Sequence, residues 1–241
     1  MLFMDNLHDQ LESAKHKFNI DTTNIVGIFL YGSQNYGLSS DSSDIDSIVL
    51  VKTLEKPKYE FVEAAGKIKV YTLKYFLYRL KLGDLECYEI LYTKYKILNT
   101  QYSTVWHGFV QEFSSCMNYD RIRQSLRNKA LEHLNFVLWI VNNKEKARYN
   151  KKRLYWCIRV CDQLARINAG EPFEDSLMYK QSTGHDLLKI KTINNYLSIK
   201  DFNKIYKDLV DFSRTLSRYS GVVSIEEDLC ISKFYAKILE I

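Results

Sequence analysis

The segment Gly32-Ser33-Gln34-Asn35-Tyr36-Gly37, followed by Leu38 to Ser42 and then Ser43-Asp44-Ile45-Asp46, holds residue types that can do chemistry together. Gly32 and Gly37 let the backbone turn tightly and come close to a ligand. Exposed amides in such a turn form a nest for phosphate oxygens, and the Ser33 hydroxyl can donate one more hydrogen bond. Asp44 and Asp46 lie two apart on a predicted strand, which sends both carboxylates off one face. Paired carboxylates repel unless a cation sits between them. Their hard oxygens suit Mg²⁺ (or Mn²⁺), which keeps waters and bridges to substrate phosphates. A phosphate nest beside a paired-carboxylate metal site is what nucleotidyl transfer requires. Gly-Ser alone, or Asp-x-Asp alone, carries little. The specific feature is their order between two apolar runs.

Other candidates lie downstream. Lys152 and Arg159 are two helical turns apart on one face and can hold a triphosphate tail. With Lys151 and Arg153 beside them they also read as a solvated face. Arg121, Arg123, Arg127 and Lys129 can meet a nucleic-acid backbone, or be a solvated helix face. Glu89, among apolar neighbours on a predicted helix, reads as an orienter of the loop or of a basic residue, or as a surface charge. The five His are scattered without metal-ligand spacing, and Cys157 and Cys161 read as a buried apolar pair. Phosphate loops of the GxxxxGK[ST] type, GxGxxG fingerprints and a nucleophile elbow are absent.

The elements that must position these residues are legible from periodicity. Leu7, Leu11, Ala14 and Phe18 predict an amphipathic helix over 5–18. Ile25 to Tyr31 is a continuous apolar run, as expected of a strand buried on both faces. Asp44 to Val51 predicts a second strand and Lys67 to Leu73 a third, while 59–65 is ambiguous. Helical patterns follow from Lys74, broken at Gly83 and resumed after Asp84, then at about 101–116, 119–142, 148–169, 200–218 and 225–239. The stretch Gly170 to Gly184 reads as loop. The expected class is α+β: a small mixed β-sheet core over 1–83 carrying the metal and phosphate site, then a helical region over 84–241 that closes it.

Composition sets the bounds. The 241 residues are 46% hydrophobic and 26% charged, ordinary for a globular protein, with 34 Lys and Arg against 29 Asp and Glu. That mildly basic balance, with a pI near 8.7, permits contact with nucleic acid or nucleotide phosphates without demanding it. Two Pro and nine Gly exclude collagen-like and low-complexity classes. No apolar run approaches the ~18–20 residues of a membrane span. The start MLFMDNLHDQLESAKHK mixes acids with bases and lacks a small-residue cleavage site, which predicts no secretory signal. Five Cys without CxxC spacing predict free thiols in a reducing cytoplasm.

The Gly32-Ser33 and Asp44-Ile45-Asp46 segment resembles the signature of the DNA polymerase β-like nucleotidyltransferase superfamily. Tyr36-Gly37 and the Ser43 before Asp44 narrow the likeness to the RNA-ligase-associated polymerase β branch, which also occurs in phages. Looser likenesses follow in Leu80-Lys81-Leu82-Gly83-Asp84 with Glu89-Ile90-Leu91, Tyr149-Asn150 with Lys152 to Arg159, Ala169-Gly170-Glu171, and Leu187-Leu188 with Ile190. The resemblance implies transfer of a nucleoside monophosphate from an NTP to an acceptor hydroxyl, with an RNA end as first expectation. It implies that Gly32, Ser33, Tyr36 and Gly37 serve the nucleotide and that Asp44 and Asp46 bind Mg²⁺. It also implies a third carboxylate on a later strand. The matching strand here carries Lys67 and Lys69 instead, which can pair with Asp44 or Asp46, contact a phosphate, or face solvent; either another strand is the match, or Glu60, Glu63 or Glu89 supplies the acid, or the chemistry is weakened or lost. The alternatives are a catalytically impaired nucleotide-binding module and a nucleotidyltransferase that modifies a partner protein.

Overall fold

Seven residues without a charge, Ile25–Tyr31, form strand β1, buried along its whole length. Strand β2, Asp46–Val51, pairs with it antiparallel, and β3, Lys58–Glu63, and β4, Gly66–Thr72, form a hairpin. A short β5, Lys96–Leu98, completes a five-stranded sheet of order β3-β4-β2-β1-β5, in which β2 and β4 run parallel. The class is α+β, with a mixed sheet. The computed structural model describes residues 2–39, 43–63, 66–141, 151–180, 187, 199–214 and 224–241.

Helix α1, Leu2–Phe18, covers one face of the sheet. Its Leu7 and Ala14 share a core with Ile28, Leu30, Val49, Val51, Ile68 and Val70. On the other face stand α2, Leu73–Lys81, α3, Leu85–Tyr92, and α4, Thr100–Cys116. The buried Trp106 of α4 meets Phe29 of β1 at 4.6 Å and Phe76 of α2 at 6.0 Å between ring centroids. Thr72, Asp84 and Asn99 each cap the helix that follows by accepting a backbone N–H with the side chain.

The chain divides into two compact units, residues 1–118 with 222–241, and residues 119–221. Gly83, where the sequence reading sets its boundary, lies inside the first unit between α2 and α3. The last helix returns to that unit. In the numbering used here it is α9, Ile225–Glu240, after α5, Tyr119–Val141, α6, Lys151–Asn168, α7, Phe173–Ser176, and α8, Ile199–Arg214. Phe234 of α9 stacks on Phe109 of α4 at 4.0 Å. Buried Glu227 closes a capping box with Ser224 and accepts the Asn118 N–H at 2.8 Å, joining the start of α9 to the end of α4.

Within the second unit, α5 and α6 bury Ile122, Leu126, Leu154, Ile158 and Cys161. Arg166 is buried and clamps the turn after α6. It pairs with Glu171 at 2.6 Å and with Asp162 at 3.5 Å, and donates to the carbonyls of Asp175, Ser176 and Met178. The predicted loop after Gly170 therefore contains a short helix, α7. Among the described residues no helix is long and apolar enough to cross a membrane.

Candidate active site

The register of β1 and β2 places Tyr31 opposite Asp46. The chain thus leaves β1 at Gly32 beside the residue that opens β2. Gly32 has φ 86° and Gly37 φ 67°, and between them Ser33–Tyr36 makes one 3₁₀ turn. Both φ values lie where a side chain is strained, and a Cβ at Gly32 would stand 3.8 Å from Asp46 Oδ2. Ser33 is partly exposed at the head of the turn, where its carbonyl accepts the Leu38 N–H at 3.2 Å.

The turn is fastened to α3. Asn35 donates to the Leu30 carbonyl at 3.0 Å and accepts from the Thr93 hydroxyl at 2.8 Å. The Tyr36 hydroxyl donates to Glu89, and both side chains are buried. Glu89 is therefore a buried partner of the loop rather than a surface charge. Tyr36 is a buried anchor whose hydroxyl is engaged by that carboxylate.

The approach to Asp46 is held from two sides. Gln10 of α1 donates to the Ile45 carbonyl at 2.7 Å. Gly66, at φ 151°, passes so near that a Cβ there would lie 2.3 Å from the same carbonyl oxygen. Asp46 is half-buried, and its Oδ1 accepts the Lys67 N–H at 3.0 Å. The predicted strand start at Asp44 is corrected. The strand begins at Asp46, and Asp44 is exposed in the segment that leads into it, so a shared strand face does not fix its direction. The buried Ile45 belongs to the core under α1, which ends the exposed approach at that residue.

The parallel pairing of β2 and β4 sets Ile48 beside Lys69, so Lys67 and Lys69 share the face of Asp46. Lys67 pairs with Glu60 of β3 at 2.9 Å, and Lys58 reaches the same carboxylate at 3.4 Å. The Lys67–Glu60 hydrogen bond raises the lysine's pKa and lowers the glutamate's. Buried Lys69 meets both oxygens of Glu86 at 2.7 and 2.6 Å and lies 4.6 Å over the Tyr31 ring. Burial first, then the charges of Asp46, Glu86, Glu60 and Glu89, pushes the Tyr31 phenol far above its ordinary pKa.

Of the acids weighed for the third position, Glu60 pairs with Lys67 and Lys58, and Glu89 accepts from Tyr36. The Glu63 side chain lies outside the described residues. Among the described residues no three His, Cys, Asp or Glu side chains converge to hold a metal ion. Of the two carboxylates, Asp46 stands against the turn and Asp44 is exposed in the segment before it. Glu86 was missed by sequence reasoning, because an acid in the first turn of a helix is ordinary there.

The other candidates belong to the second unit. Arg159 is buried, 4.9 Å over the Trp156 ring and 3.4 Å from Gln163 Oε1. The Lys152 side chain, Tyr149-Asn150, Leu188 and Ile190 lie outside the described residues, as do 40–42 of the loop. In the α5 cluster, Arg121 is buried, Arg123 pairs with Asp120 at 2.8 Å, and Lys129 pairs with Glu132 at 2.9 Å.

No protein-family model and no curated protein matches the chain. Among solved structures it is similar to a nucleotidyltransferase-like protein from Exiguobacterium sibiricum 255-15. The likeness is distant. The TM-score is 0.40 at 9% identity, over 95% of this chain and 80% of that one.

Proposed function

We propose that the protein is a nucleotidyltransferase that moves a nucleoside monophosphate from an NTP to an acceptor hydroxyl, with an RNA end as acceptor. One observation carries the reading. The Gly32–Gly37 turn stands against the Asp46 carboxylate, with no side chain at Gly32 to fill the space between them. The resemblance of this segment to the polymerase β-like signature supports the same conclusion.

In this reading the turn amides and the Ser33 hydroxyl bind the triphosphate. Asp44 and Asp46 would hold Mg²⁺, whose preference for hard oxygen donors their carboxylates fit. Such an ion offsets phosphate charge and lowers the pKa of a bound hydroxyl. Asp46, fixed by the Lys67 N–H, sets where the α-phosphate rests relative to the turn. Glu89, through Tyr36, and Thr93, through Asn35, keep the turn in one conformation before the substrate arrives. The acceptor oxygen bonds to the α-phosphorus as the bond to pyrophosphate breaks, and the hydroxyl proton passes to water.

Labelled NTP with an RNA oligonucleotide and Mg²⁺ tests the proposal. Label on the RNA, lost with EDTA and with Asp46→Asn, is the expected result. Label on protein instead selects the protein-modifying alternative. No transfer to RNA or protein, with NTP still bound, selects a binding module. The two lysines on β4, one of them paired with Glu86, are the observation that favours that second reading.

A further inference from the structure

The Asp46 carboxylate lies between two features, the Gly32 turn beyond Oδ2 and the Lys67 backbone beyond Oδ1. A polyphosphate lying across Asp46 from the turn therefore arrives at Lys67. The Lys67 ammonium is there, on the Asp46 face, but it is covered by a neighbour. Glu60, diagonal to it across the β3–β4 hairpin on the same face, binds it at 2.9 Å and binds Lys58 at 3.4 Å. All three side chains are roughly 36–42% exposed. Solvent-screened pairs of this kind hold together weakly, so an incoming anion of higher charge can open them. Lys69 differs. It is buried under Tyr31 and locked to Glu86, and so is a fixed part of the face rather than a group free to meet a ligand.

We propose that Lys67 is the cation for the pyrophosphate end of the substrate, and that Glu60 is its placeholder, occupying in the ligand-free protein the position that a phosphate takes. This deepens the reading above by naming the residue that binds the leaving group. The ligand class is a di- or triphosphate. In the bound state Lys67 turns from Glu60 to phosphate oxygens, while Lys58 keeps Glu60 neutralised. The lysine on β4 then has a role of its own on the strand where the resemblance leads one to expect an acid.

Titration calorimetry with inorganic pyrophosphate, with and without Mg²⁺, tests this on the whole chain. Lys67→Met is expected to weaken pyrophosphate binding about tenfold or more, the effect of losing one charge-assisted contact. Lys67→Arg restores most of it. Glu60→Gln tightens binding, because the competing carboxylate and its repulsion are removed. The half-exposed positions make all three variants expected to fold, and thermal unfolding of each confirms it. Lys67→Met and Glu60→Gln binding pyrophosphate as the wild type does, or a wild type that binds none, overturns the inference. Changes that follow Lys67 and Glu60 in a protein that transfers no nucleotide overturn the transferase reading and leave this one standing.

Discussion

Glu89 of α3 accepts a hydrogen bond from the Tyr36 hydroxyl, and neither side chain reaches solvent. A buried carboxylate is costly without such a donor. The pair thus makes the conformation of the Gly32–Gly37 turn depend on the position of a helix far away in sequence. Tyr36→Phe should lower stability by about 1.5–3 kcal/mol, the range for a hydrogen bond to a charged group. It should also weaken nucleotide binding, since the turn loses its anchor. Urea unfolding and NTP titration check both, and a Phe variant unchanged in both would remove Glu89 from its orienting role.

Asp44 and Asp46 should differ when neutralised. Asp44 is exposed, so Asp44→Asn is expected to change stability by no more than about 0.5 kcal/mol. Asp46→Asn keeps an acceptor for the Lys67 N–H but loses its charge, at a cost of about 1 kcal/mol. Transfer should vanish in both. A double variant that retained wild-type transfer would contradict the site assignment.

At the turn, Ser33→Ala removes one hydroxyl, whereas Gly32→Val places a branched side chain at φ 86° beside Asp46. The valine variant should lose far more NTP binding than the alanine variant. Equal losses, measured by titration with a non-hydrolysable NTP, would contradict the backbone nest.

Gly66→Ala should be among the most destabilising small changes in the first unit. Its Cβ would meet the Ile45 backbone at 2.3 Å, at a φ of 151°. Overpacking and backbone strain together suggest a loss of about 2–4 kcal/mol. Asp46 follows Ile45 directly, so metal-dependent NTP binding should fall with it. Chemical denaturation reads the first effect and calorimetry the second. An alanine variant as stable as the wild type would mean that the crossing of β4 over Ile45 is looser than described.

The helical unit carries a pH signal at His133. Burial, with help from Lys129, lowers its pKa to about 4. The unfolded chain takes a proton near the ordinary value of about 6.5, while the folded chain resists until about 4. Stability from this group is therefore full above about 6.5 and falls as the pH drops from there to about 4. His133→Gln should flatten that part of the curve in thermal unfolding between pH 7 and pH 4. An identical pH dependence in the variant would show that His133 is not the group responsible.

The elements were largely legible in the sequence, because they rest on local patterns. The apolar run Ile25–Tyr31 forms β1 over that same span, and Leu73, Phe76, Leu77 and Leu80 form the buried stripe of α2. The turn glycines could be read in advance because positive φ is a property of one residue, and both Gly32 and Gly37 adopt it. The strand β3 and the three-residue β5 were not legible. Their pairing with β4 and β1 is what makes them strands, and short segments carry too little pattern of their own. What tertiary structure alone decided is the company that Asp46 keeps. Strand register, which no local pattern states, brings Lys67 to its carboxylate and sets Glu60 across from Lys69. Helix packing brings Glu86 to Lys69 and Glu89 to Tyr36. The sequence by itself singled out the candidate groups for phosphate and metal, because residue type and spacing are local properties. The partners that hold each of them in place are set by contacts between residues far apart in the chain.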